Sequence, residues 1–304
     1  MAVLPDYKKI KLTKITKTKN HFNRNETMKK PIGLVLYKGP SLIDGQLIVV
    51  LATGIFDKTE NRKTGDMIQT WIVRADIPPI IAKQLGHDYS VCGDCKHRHF
   101  GSCYVNIAHG PHNTFKSYHR DRYVNFEEDK HLQLFKGRKV RLGSYGDPAA
   151  VPTYVWSKIC SVTDGHTGYT HQWNTRFVEP ELKDYCMASC DNEKEYNKAK
   201  SLGWRCFRVR FDNTQPLLDN EFVCPASNEA GNKTSCEKCK ACMGHGAKTK
   251  KDPCIIVHGL EHKIISFKKG MKKIAWKEGY KKEFQYPLKK KKSKKKRVAR
   301  VVKS

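Results

Sequence analysis

Four cysteines fall within nineteen residues of the segment 224-CPASNEAGNKTSCEKCKACMGHG-246, and no other feature limits the possible folds of this chain as strongly. Their spacing, C-x11-C-x2-C-x2-C at Cys224, Cys236, Cys239 and Cys242, supplies four thiolates. Four thiolates close a coordination sphere around structural zinc or a fully ligated iron–sulfur cluster. The C-x2-C-x2-C rhythm is more typical of a cluster than of the paired C-x2-C motifs of zinc ribbons. Gly231 and Gly244 supply the tight turns such a loop needs. Disulfides are the competing use of twelve cysteines, but the N-terminal MAVLPDYKKIKLTKITKTKN has no apolar core after its charges and is not a secretory signal. No apolar run of about eighteen residues marks a membrane span either. The expected compartment is therefore the reducing cytoplasm, where metal ligation is the favoured use of the cysteines.

A second group, 92-CGDCKHRHFGSCYV-105, has only three cysteines, Cys92, Cys95 and Cys103, with Tyr104 directly after the third. Three thiolates can hold three irons of a four-iron cluster and leave the fourth iron open to another ligand. With His97 or His99 they can instead complete a tetrahedral zinc site. His97–Arg98–His99 also has the spacing of a nuclease metal pair, but the central Arg and the flanking cysteines speak against that use. Cys160, Cys186, Cys190, Cys206 and Cys254 are scattered, and the default for each is a small packed hydrophobe.

Between and around these groups the pattern is mixed. The β-rich runs 32–39, 46–54 and 68–75, with an Asp44–Gly45 turn, read as an N-terminal antiparallel meander. From 138-RKVRLGSYGDP-148 onward, strands alternate with helices: strands near 138–148, 166–173, 184–192, 204–211 and 254–260, helices over 149–164 and 193–203. Such alternation indicates an α/β fold with a parallel sheet, open or curled into a barrel. Asp147, His171, Asp191 and His258 stand at the ends of these strands, where parallel barrels carry their chemistry. Asp147 with Glu179, Glu181 and Asp191 offers carboxylates for magnesium, but their spacing selects for nothing, and solvated acids are the simpler account.

Charge divides the chain into three. The net +28 is concentrated at the ends: residues 1–30 hold nine Lys/Arg against two acids, and residues 263–304 hold eighteen against two. The reading is a basic N-terminal arm (1–30), a folded domain (31–262) and a basic C-terminal tail (263–304), disordered at 289-KKKKSKKKRVARVVKS-304. Unbalanced lysines of this kind attract nucleic acid through its phosphates, without base readout.

Taken in order, C-x2-C…C-Y, R-L-x-x-Y-G-D-P, G-Y-T-H-Q-W, M-A-S-x-D and C-P-A-S…C-x2-C-x2-C resemble a group of uncharacterised bacteriophage proteins related distantly to radical S-adenosylmethionine enzymes. The likeness spans about residues 32–260. It implies a partial (β/α) TIM-like barrel of radical-SAM type with a Cys-rich insert at 224–246, and a bacterial host cytoplasm. It also implies a [4Fe-4S] cluster on Cys92, Cys95 and Cys103, with Cys224, Cys236, Cys239 and Cys242 as an auxiliary group. Gly146, Asp147 and Pro148 would lie against S-adenosylmethionine, and Tyr145, Asp147 and His171 are the catalytic candidates. The first motif departs from the family pattern, being C-x2-C-x7-C where radical enzymes have C-x3-C-x2-C.

Overall fold

The computed structural model describes residues 30–58 and 63–277. Nearly all of the basic arm, and the Lys-rich end from 278 onward, lie outside the described residues, as does the disorder expected for 289–304.

Apolar β-branched runs make the first sheet. Strands β1 (Gly33–Pro40), β2 (Leu47–Thr53) and β3 (Ile68–Arg74) form the antiparallel meander. Gly45 turns the chain between the first two with a φ of 75°, and Asp44 Oδ1 accepts from Gln46 N at 3.1 Å. Ile48 through Ala52 are fully buried because β2 is covered on both faces. Then β4 (Tyr123–Asn125) adds parallel to β1, while β5 (Val140–Tyr145) and β6 (His166–Thr167) continue parallel beyond β3.

The second sheet is parallel throughout, in the order β10-β11-β9-β8-β7. Its strands are β7 (Tyr169–Thr170), β8 (Met187–Cys190), β9 (Cys206–Arg210), β10 (Glu221–Val223) and β11 (Asp252–Ile256). A single residue, Gly168, separates β6 from β7, so the two sheets share one interrupted strand. A Cβ at Gly168 would lie 2.5 Å from Cys186 Sγ and 2.8 Å from Tyr185 O, a space only hydrogen can fill.

Helices at 153–160 and 193–201 follow β5 and β8, completing a mixed α/β fold. Trp156 anchors the first, fully buried, with Nε1 donating to Pro148 O at 3.0 Å. Asn192 caps the second by accepting from Glu195 N at 2.8 Å. Cys186, Cys190, Cys206 and Cys254 have no exposed surface, and Cys160 is half-buried at the end of its helix.

The folded region runs past residue 262. Residues Glu261–Lys277 form a helix whose Phe267 and Met271 are buried against Phe211. Gly270 lets it approach closely, since a Cβ there would meet Phe100 Cδ2 at 2.3 Å. Lys263 on this helix donates to Val105 O at 3.0 Å and also to Cys103 O, tying the helix to the three-cysteine loop. Among the described residues, no helix is long and apolar enough to cross a membrane.

Candidate metal centres at the strand ends

The three-cysteine loop is built around Gln172. Its Nε2 donates to Cys92 O at 2.8 Å and its Oε1 accepts from Asp94 N at 3.0 Å, clamping both sides of Gly93. A Cβ on Gly93 would meet Gln172 Oε1 at 2.5 Å, and the residue's φ of 51° also favours glycine. Arg98 holds the loop from the other side through Gly93 O at 2.9 Å, Gly86 O at 2.9 Å and Asp88 Oδ1 at 2.7 Å. Behind it, Asp147 N donates to Val91 O at 2.6 Å, joining the loop to the end of β5.

Cys92, Cys95 and Cys103 are thereby brought close enough to act on one another. Burial pushes the Cys92 thiol far up, and the neighbouring Cys95 and Cys103 add to this. Burial likewise raises Cys95, while the amide of His97, two residues on, donates to its sulfur. Tyr145 completes the wall: its hydroxyl is buried without a hydrogen-bond partner among the described residues. Burial, then Cys92, Asp88 and Cys103, keep that phenol protonated.

Asp147 and His171 reach the same place, at the ends of β5 and β7. The Asp147 carboxylate receives Ala149 N at 3.0 Å and His171 N at 2.8 Å, so it orders the strand ends. Burial raises it to about 6 against those bonds and others from Thr170 and Gln172. Gly146, with φ 81°, is packed on β3, since its Cβ would lie 2.6 Å from Ile72 Cβ. Pro148 is buried against Gly143. His171 is pushed down to about 3 by burial and by neighbouring His97.

His97 and Asp191 join His171, each offering one ligand atom within 4.8 Å of the others. Neither Asp147 nor Asp191 is a solvated acid: they are 6% and 1% exposed. Glu179 goes elsewhere, its Oε2 capping the helix at 153–160 through Thr153 N at 2.6 Å. His99 is exposed on the loop. Tyr104 is stacked on His258, whose Nε2 lies 3.1 Å from Lys63 Nζ.

The four-cysteine segment is stitched to the body by its backbone. Cys224 N donates to Cys254 O at 2.7 Å, Cys236 N to Lys63 O at 2.9 Å, and Gly168 N to Cys242 O at 3.2 Å. Buried Arg205 holds the last turn through Ala241 O at 3.1 Å and Gly244 O at 2.9 Å. Gly244 is required there, with φ 55° and a Cβ position 2.3 Å from Lys183 O. Cys224, Cys236, Cys239 and Cys242 converge. Burial raises Cys224, opposed by the Ala226 amide on its sulfur and by Lys63. Burial also raises Cys236, and Arg141 and Lys63 oppose it. Cys242 is raised by burial, while Tyr169 donates to its sulfur. Amides, a phenol and two cations aimed at sulfur are the surroundings a ligated thiolate takes.

Sequence reasoning placed both cysteine groups and flagged His171 and Asp191, but it missed Gln172, Arg141 and the meeting of His97 with Asp191. The signal for Gln172 was its place one residue after a flagged strand end. The chain matches no family model, no curated protein and no solved structure.

Proposed function

We propose that this protein is an iron–sulfur enzyme with a radical-SAM-like partial barrel, carrying an open cluster on Cys92, Cys95 and Cys103 and a closed one on Cys224, Cys236, Cys239 and Cys242. One observation carries the reading. Three thiols of one loop gather at the carboxyl ends of parallel strands, beside a buried phenol at Tyr145 that has no hydrogen-bond partner among the described residues. The C-x2-C-x2-C spacing of Cys236, Cys239 and Cys242 in the sequence supports a cluster over the paired C-x2-C motifs of zinc sites.

Cys92, Cys95 and Cys103 would hold a four-iron cluster, which would offer an open iron to S-adenosylmethionine and, once reduced by an external low-potential donor, one electron for its cleavage. The chain itself supplies the shape of the site. Gln172 and Arg98 fix the loop, Tyr145 presents an O–H donor to it, and the apolar stack of Phe267 on His97 (centroids 5.7 Å apart) shields one side. Protein purified without oxygen should be brown and hold about eight irons with matching sulfide. With a low-potential reductant it should form 5′-deoxyadenosine from S-adenosylmethionine, and Cys92→Ser should abolish this. A colourless, zinc-loaded protein, or an iron-loaded one that forms no 5′-deoxyadenosine, counts against the reading.

The charge distribution favours a nucleic-acid partner, whether for an enzyme or for a purely binding protein. Eighteen Lys/Arg in residues 263–304 stand against only two acids, a strongly polycationic segment. Affinity for duplex DNA should fall with salt by a log–log slope of about −0.9 per phosphate contacted. Deleting residues 286–304 should flatten that slope, as a filter-binding titration at several salt concentrations will show. Unchanged binding after the deletion would place the anchor elsewhere.

A further inference from the structure

We infer that His97, His171 and Asp191 form a mononuclear site for a divalent first-row transition ion, distinct from both thiolate groups. This goes beyond the iron–sulfur reading and does not depend on it.

The geometry is already that of neighbouring ligands. His97 Nε2 lies 3.1 Å from Asp191 Oδ2. With metal–ligand bonds of about 2.1 Å, adjacent ligands are separated by about 3.0 Å in an octahedron and about 3.4 Å in a tetrahedron. One ring nitrogen of His171 completes the group within 4.8 Å. Two imidazoles and one carboxylate on one face are the ligand set of non-haem Fe(II) sites, which keep positions open for water or substrate.

Two further observations point to a ligand. Asp191 is 1% exposed, and its Oδ1 accepts no hydrogen bond among the described residues. A buried carboxylate oxygen with no donor is costly, and a cation satisfies it. His97 has the orienting partner that metal-bound histidines have, with Nδ1 2.7 Å from Ser102 Oγ. When Nδ1–H donates to that hydroxyl, the Nε2 lone pair faces the Asp191 carboxylate, an arrangement that is repulsive without a cation between them. The ring is further fixed by Phe267 and by the edge of His171, 4.9 Å away between centroids.

Lys96 is the competing cation. Its Nζ lies 3.0 Å from Asp191 Oδ2 and also pairs with Glu195. Glu195 lets the ammonium give up Asp191 to a metal without losing its own partner. The result is a site that charges with metal while Lys96 stays in place on the helix side.

Co(II) is the probe, because thiolate ligation gives intense charge-transfer absorption and imidazole–carboxylate ligation does not. The full chain, its thiolates first occupied by iron or zinc, should take up one further equivalent of Co(II) showing only weak visible bands. Asp191→Asn and His171→Ala should remove that equivalent, and Ser102→Ala should weaken it about 10–100-fold with the fold intact by circular dichroism. Should the ligand variants unfold, the wild-type stoichiometry and the Ser102 variant still decide. No Co(II) taken up beyond the thiolates, or equal uptake by wild type and all three variants, overturns the inference. A colourless protein would sink the iron–sulfur reading and leave this test intact, since zinc on the thiolates serves equally well.

Discussion

With the four-cysteine segment holding the metal proposed for it, Cys242→Ser should release that metal and cost much of the protein's stability, lowering the melting temperature by about 10 °C or more. Structural metal sites of this ligand count contribute about 10–16 kcal/mol to the folding of small peptides. A larger core shares that burden here, so a loss of about 4–5 kcal/mol is the expected scale, at about 2–4 °C per kcal/mol for a domain of this size. Cys242 sits where the loss spreads furthest. Its carbonyl receives Gly168 N at 3.2 Å, and the flanking Ala241 and Gly244 carbonyls receive Arg205. Without the metal, Cys224 and Cys236 revert to the protonated thiols that burial favours, and the Lys63 and Arg141 cations stay beside Cys236. Hydrogen exchange should show residues 224–246 opening first, followed by the strand break at Gly168. Cys92→Ser is the control: its loop is held independently by Gln172 and Arg98. That variant should lose its metal while melting within a few degrees of wild type. Equal melting of Cys242→Ser and wild type would mean that the four-cysteine segment holds no stabilising metal in the folded protein.

The elements that could be read in advance were those whose signal is local. Alternating β-branched runs gave the meander, and the spacing of cysteines gave two groups without any knowledge of the fold. The helix at 193–201 carried its own cap in Asn192 and its own stop at Gly203, whose φ is 79°. What could not be read depends on distance in space. Three-residue strands such as β4 and β10 are too short to show a period, and neighbours supply their pairing. The helix at 261–277 was hidden because its lysines dominate the charge count, although Phe267 and Met271 stand at i and i+4 on its buried face. His97 was read beside its sequence neighbours, Arg98 and His99. Its partners are Ser102, Asp191 and His171, the last two set by separate strand ends. The same holds for β9, CFRVR, where the general rule buries Phe and Val and leaves Arg in water. There the burial is reversed: Arg208 and Arg210 are 3% exposed while Phe207 and Val209 are half-buried.

That reversal makes Glu221 the residue whose loss the fold should tolerate least after the cysteines. Arg208 on β9 and Glu221 on β10 meet across β11 in a bidentate pair, Nε to Oε1 at 2.7 Å and Nη2 to Oε2 at 2.5 Å. Both side chains are out of water, at 4% and 0% exposure. Two further bonds hold the pair: Arg208 also donates to Pro216 O at 2.9 Å, and Glu221 also accepts from Leu218 N at 2.9 Å. Burying two charges costs several kcal/mol each, offset only while the pair is whole. Glu221→Ala strands a guanidinium in the core, and the expected loss is about 3–5 kcal/mol in urea unfolding. Arg208→Met combined with Glu221→Leu removes both charges and should recover most of that loss, because no uncompensated charge remains. The contrast separates the cost of an orphaned charge from the loss of packing. If the double variant is no more stable than Glu221→Ala, the pair's value lies in holding the 215–221 loop over β9, and Pro216 and Leu218 become the contacts to test next.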